Sequence, residues 1–131
     1  MTGRKKPPVE KPLTEVELEL MNGIWELGDC TVKEVQTLLS ADRKLAYTSV
    51  ATVMKILEQK GVLSSKKGER AHTYHPVISR VQYEAASLRH LANGLFRGDP
   101  TSMVMRLLDE HRISGDELRA IKKLLDERMS K

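Results

Sequence analysis

The sequence predicts a mainly α fold with a small β hairpin, in the order three helices, hairpin, three helices. Three observations predict it. Apolar residues recur at three- and four-residue spacing through six separate stretches. Ser or Thr followed three residues later by Glu or Gln stands ahead of four of those stretches, as a capping box does. One basic turn, Lys67-Gly68-Glu69-Arg70, separates two short runs rich in hydroxylic and β-branched residues.

The elements follow in order. Residues 1–12 carry Arg4, Lys5, Lys6 and Lys11 among Pro7, Pro8 and Pro12, too polar to fold, and are expected to form a disordered basic tail. Thr14 with Glu17 opens the first helix, whose apolar face is Leu18, Met21, Ile24 and Trp25 and which Gly28 ends. Thr31 with Glu34 opens a short second helix through Val35, Leu38 and Leu39. A turn from Ala41 to Lys44 leads into a third helical stretch from Leu45 to Gly61, with Gly61 expected as a left-handed C-cap. Val62–Lys66 and Ala71–His75 form the hairpin, and Pro76 closes it. Ser79 with Gln82 starts a fourth helix carrying Val81, Ala85, Leu88, Leu91, Ala92 and Leu95 up to Gly98. A shorter helix after Pro100 presents Met103, Val104, Leu107 and Leu108, and Ser114 with Glu117 caps a last one with Leu118, Ile121, Leu124 and Leu125.

The third helix carries the chemistry. At about 100° per residue, Val50, Val53, Met54 and Leu57 fall on one side and Thr48, Thr52, Lys55 and Gln59 on the other. The first face can anchor in a core. The second is small, hydroxylic and cationic, suited to lying close to base edges with a lysine in reach of guanine or phosphate; an ordinary solvated face has the same pattern. A helix of this kind followed by a basic two-stranded ribbon is the arrangement of a winged helix-turn-helix. Arg43, Lys44, Lys55, Lys60, Lys66, Lys67 and Arg70 outnumber Glu58 and Glu69 there, which concentrates positive charge in the segment that would face DNA, with Lys66, Lys67 and Arg70 expected on phosphates. The predicted organisation is therefore a tail over 1–12, a winged helix over 13–76 and a helical dimerisation domain over 77–131.

The composition narrows the functions. The chain has 131 residues, 40% of them hydrophobic, and a net charge of +4, enough for one domain or two small ones and compatible with an anionic partner. No apolar run is long enough to span a membrane and no hydrophobic stretch follows Met1, so no membrane insertion is expected and a cytoplasmic location is. Cys30 is the single cysteine, which excludes an intrachain disulfide and a cysteine-cluster metal site. His72 and His75, three apart in a strand, point to opposite faces and make a poor metal pair. His90 and His111 read as surface residues, and Asp109 and Glu110 face different ways on their helix. With no phosphate-binding glycine loop, nucleophile elbow or carboxylate pair, an enzyme is not expected, nor is a cofactor or metal.

The last three helices carry stripes too large to leave wet and too small to fold alone. Leu88, Leu91, Leu95, Val104, Leu107, Leu108, Leu118, Ile121, Leu124 and Leu125 are expected to meet a second copy; docking back onto the winged helix is the competing arrangement.

From about Leu13 to Glu127 the chain resembles the penicillinase-repressor family of bacterial transcription regulators. The resemblance rests on Leu13-Thr-Glu-Val-Glu-Leu-Glu, Ile24-Trp-Glu-Leu-Gly28, Leu45-Ala-Tyr-Thr-Ser-Val, Leu57-Glu-Gln-Lys-Gly61, Arg70-Ala71 and Tyr74-His-Pro76 in that order. It implies a homodimeric repressor on a palindromic double-stranded DNA operator, controlling a beta-lactamase gene or its sensor-protease system. It implies Thr48, Ser49 and Thr52 as DNA-reading residues, with Lys55 farther along the helix and Arg70 at the wing. Ser49 stands where many relatives have Thr. In antibiotic-responsive members a membrane sensor-protease pathway leads to cleavage of an Asn-Phe bond in the short C-terminal helix; the aligned bond here is Arg106-Leu107. The alternatives are a winged helix that binds protein without DNA and a one-component regulator that binds a small ligand between its halves.

Overall fold

The computed structural model describes residues 12–41, 43–110 and 112–130, so the expected tail over 1–12, apart from Pro12, and the expected surface position of His111 lie outside the described residues. The elements are α1 (Glu15–Leu27), α2 (Val32–Leu39), α3 (Tyr47–Gln59), β1 (Leu63–Lys67), β2 (His72–Pro76), α4 (Arg80–Leu95), α5 (Pro100–Asp109) and α6 (Gly115–Met129). This is the predicted mainly α fold with one antiparallel hairpin.

All four capping boxes form. Thr14 Oγ1 accepts from the Glu17 N–H at 3.2 Å while Glu17 Oε1 accepts from the Thr14 N–H at 2.9 Å. Thr31 with Glu34, Ser79 with Gln82 and Ser114 with Glu117 repeat the exchange. Each satisfies two otherwise orphaned N–H groups, and losing the capping hydroxyl costs about 1 kcal/mol. Helix α3 differs. Its N-cap is Ala46, which offers no side-chain oxygen, and Leu45 lies outside the helix with its carbonyl taken by Gln36 Nε2 at 2.9 Å.

At its other end α3 closes in a Schellman motif. The Val62 N–H donates to the Leu57 carbonyl at 3.0 Å, the Gly61 N–H to Glu58, and Gly61 has φ 81°. Leu57 and Val62 are both fully buried, supplying the apolar contact this motif favours. The closure also explains why the strands run 63–67 and 72–76, one residue later than the sequence predicts. Val62 is spent on the cap, and Ala71 on a turn in which its carbonyl accepts from the Gly68 N–H at 3.1 Å.

The described residues divide into two compact units, one up to Ser87 and one from Leu88 onward. In the first, α1 supplies Leu20, Met21 and Ile24, α2 Val35 and Leu39, and α3 Val50, Met54 and Leu57 to one core. Each such side chain contributes about 1.5 to 3 kcal/mol when fully buried. Cys30 bridges to Tyr74 by a pair of backbone hydrogen bonds at 2.9 and 2.7 Å, joining the α1–α2 connection to β2.

The core of this unit continues past Pro76. Ile78 and Tyr83 are buried in it, the Tyr83 hydroxyl accepts from the Leu13 N–H at 3.1 Å, and the Trp25 indole N–H donates to the Ile78 carbonyl at 2.8 Å. Trp25, half-buried, also lies 5.7 Å from the Tyr83 ring and 5.1 Å beneath the Arg80 guanidinium. The first turns of α4 are thus part of the winged-helix core.

The second unit is different in kind. Neither α5 nor α6 has a buried residue. Leu88, Leu91, Leu95, Val104, Leu107, Leu108, Leu118, Ile121, Leu124 and Leu125 are all exposed in the single chain. Among the described residues, no helix is long and apolar enough to cross a membrane.

Candidate nucleic-acid interface

Helix α3 is held from behind. Val50, Met54 and Leu57 are buried with at most 1% of their surface exposed, and Val53 is half-buried. Thr48, Thr52, Lys55 and Gln59 form an exposed stripe on the opposite side. The Thr52 hydroxyl proton is committed to the Thr48 carbonyl at 2.8 Å. Thr52 therefore turns outward a methyl group and an oxygen that can only accept, a match for a thymine methyl or an exocyclic amine in the major groove. Ser49 is exposed about 60° around the helix from Thr52, on the flank that also holds Ile56.

The wing separates its cations. Lys67 pairs with His72 and Lys66 with Thr73, and residues opposite one another in an antiparallel ribbon share a face. Lys67 and His72 therefore lie on the side of Leu63 and Tyr74, toward the helices, while Lys66, Thr73 and His75 lie on the outer side. Arg70 projects from the turn. Lys67, Arg70 and His72 line a cleft with Lys33 of α2 and Tyr47 of α3, whereas Lys66 does not. Tyr47 is 51% exposed.

Two of the seven basic residues counted from sequence are neutralised. Arg43 Nη2 lies 2.6 Å from Glu19 Oε1, and Lys60 Nζ lies 2.7 Å from Glu17 Oε1. Among the described residues Lys44, Lys55, Lys66, Lys67 and Arg70 show no carboxylate partner. Two carboxylates of α1 thus absorb charge at the α2–α3 connection and at the C-cap of α3, and apart from Lys44 in that connection the remaining cations lie on α3 and the wing.

Sequence reasoning missed Lys33, Tyr47 and His72 as neighbours of the wing cations. Tyr47 and Ala51 lie together on the wing-facing flank of α3, about 40° apart, a flank that helical periodicity alone does not distinguish from its surroundings. Two buried groups near the cleft, Cys30 and Tyr74, are held in their neutral forms. Burial pushes the Cys30 thiol up to about 11, helped by Glu34 and Asp29, and burial with Glu58 and then Tyr47 raises the Tyr74 phenol. Cys30 is therefore an unreactive core side chain.

Comparison with known proteins identifies the family. The penicillinase repressor family model matches residues 13–127. The penicillinase repressor of Bacillus licheniformis is 28% identical over 115 residues, covering 88% of this chain and 90% of its own. The transcriptional regulator BlaI of Mycobacterium tuberculosis is 32% identical over 117 residues, covering 88% and 83%. Among solved structures, the monomeric form of Bacillus licheniformis BlaI in complex with the blaP half-operator matches with a TM-score of 0.48 and 29% identity, over 56% of this chain and 89% of that one. The match runs from the start of the winged helix almost to the end of α6, and the chain belongs to the penicillinase repressor family, whose members are transcriptional repressors and not enzymes.

Proposed function

We propose that this protein is a cytoplasmic transcriptional repressor that binds a palindromic double-stranded DNA operator as a homodimer. The observation that carries the reading is the exposed Thr48, Thr52 and Lys55 stripe on a helix whose other face is anchored in the core through Val50, Met54 and Leu57. In the complex α3 enters the major groove, where Thr48, Ser49, Thr52 and Lys55 meet base edges, and Lys66, Lys67 and Arg70 of the wing meet phosphates. The DNA-binding domain is the winged helix expected over residues 13–76, extended through the first turns of α4, whose Ile78 and Tyr83 complete its core. The remainder of the helical segment expected over 77–131 forms the dimerisation domain, with the ten exposed leucine, isoleucine and valine side chains of α4, α5 and α6 covered by the second copy.

The penicillinase repressor among the relatives favours a beta-lactamase gene as the target, and the proposal extends to the sensor-protease genes that the family resemblance implies. Release follows from a signal that breaks the dimer. Two weak heads joined in one dimer bind with an effective concentration of about millimolar, so severing α5 weakens operator binding by about 10² to 10⁴ without touching either winged helix. The Arg106-Leu107 bond, aligned with the one cleaved in antibiotic-responsive members, lies within α5. Mapping the genomic sites the protein occupies in its host tests the proposal. Occupied palindromes beside a beta-lactamase or sensor-protease gene support it, and the absence of discrete occupied sites refutes it.

A further inference from the structure

The cleft between α2, α3 and the wing has a volume of about 500 Å³ and is open to solvent on one side of the recognition helix. Lys33, Lys67 and Arg70 line it against a single carboxylate, Glu69, and Tyr47 and His72 are also in its lining. Three cations around one cleft repel one another. Lys33 is doubly misplaced for stability, because it occupies the second helical position of α2, where the helix dipole disfavours positive charge. None of the three has a carboxylate within ion-pair distance among the described residues. A fold that keeps such a cluster does so for an anion.

The position identifies the anion. A helix seated in the major groove has a sugar-phosphate ridge on each side, since the groove is only about 12 Å wide. A wing beside that helix lies across one ridge, so whatever lines the space between α3 and the wing faces that strand. We infer that this cleft grips the DNA strand passing between α3 and the wing, with Lys33 and Tyr47 as phosphate-holding residues in addition to Lys67 and Arg70. The inference rests on the proposed seating of α3 in the major groove. Lys33 supplies charge and Tyr47 a neutral hydroxyl, so the two leave different signatures. Neither reads a base, and both fix the angle at which Thr48 and Thr52 meet the groove.

The test is a salt titration of full-length protein on two labelled duplexes, the mapped operator and a scrambled duplex of equal length. Lys33→Gln is expected to weaken both by a similar factor and to lower the salt slope by about one unit, and Tyr47→Phe to weaken both with the slope unchanged. Lys123→Gln on α6 is the control and leaves both affinities in place. Phosphates of the operator are then neutralised one at a time as methylphosphonates. Wild type is expected to lose affinity at one phosphate per half-site where Lys33→Gln loses nothing further. Failure of wild type to bind either duplex removes the DNA-binding reading and this inference with it. Tight wild-type binding with affinity and slope unchanged in Lys33→Gln, at an unchanged unfolding temperature, overturns the inference alone.

Discussion

Lys60 Nζ donates to Glu17 Oε1 at 2.7 Å, and this bond ties the C-cap of α3 to the first turn of α1. Glu17 is the one buried charged residue among those described, and its carboxylate also completes the cap on Thr14. Burial raises its pKa, but the hydrogen bonds from Lys60 and the Thr14 N–H, with the Lys60 charge, outweigh burial and leave it below the ordinary 4.5.

The sign follows directly. Between the folded value and 4.5 the unfolded chain binds more protons, so the contribution is complete above about pH 4.5 and disappears as pH falls through the lower folded value. Asp99 and Glu117, also lowered, titrate in the same direction. Glu17→Gln keeps the capping acceptor and removes the charge. It is expected to cost about 1 kcal/mol at neutral pH, because Lys60 is partly solvated, and to flatten the acid limb of the stability profile relative to wild type. Urea unfolding at a series of pH values measures both.

A second prediction concerns a bond spanning 70 residues. Tyr83→Phe keeps the ring against Trp25 and leaves the buried Leu13 N–H without its acceptor, which is expected to cost about 1 to 2 kcal/mol in chemical unfolding. An unchanged midpoint would mean that the start of α4 is not part of the winged-helix core.

These two bonds mark where sequence reasoning stops. Capping boxes were legible because both partners lie three residues apart and act through one local geometry, and all four formed. The buried face of α3 was legible because periodicity records it. The pairing of Lys60 with Glu17, of Arg43 with Glu19 and of Tyr83 with Leu13 was not, since each joins residues 24 to 70 positions apart that only the folded core brings together. The cleft was missed for the same reason, its cations coming from three separate elements. The strand shift by one residue came from Val62 serving as the close of a helix when its β-branched side chain also suits a strand.

The wing depends on one glycine. A Cβ at Gly68 would stand 2.8 Å from the Ala71 carbonyl oxygen, which is the acceptor that closes the turn. Gly68→Ala is expected to cost about 1 kcal/mol or more and to displace Arg70, weakening operator and scrambled DNA together. Unfolding and binding assays on the same preparation check the two effects.

Dimerisation has its own test. Ile121 and Leu125 lie one turn apart on α6 and are 39% and 52% exposed. Sedimentation at micromolar concentration is expected to give about twice the chain mass for wild type and a single chain mass for the double variant Ile121→Asp, Leu125→Asp. A monomeric wild type would refute the proposed assembly.

In the proposed complex α3 is the element that reads sequence, and its most direct test is the affinity of Thr52→Ala and Lys55→Ala for the mapped operator and for a scrambled duplex of equal length. Both side chains are exposed, so folding is expected to be unaffected. Each variant is predicted to lose about 1 to 3 kcal/mol on the operator, and Thr52→Ala to lose little on scrambled DNA, so that the ratio between the two falls. Operator affinity unchanged in both variants would contradict the assignment of α3 as the recognition helix.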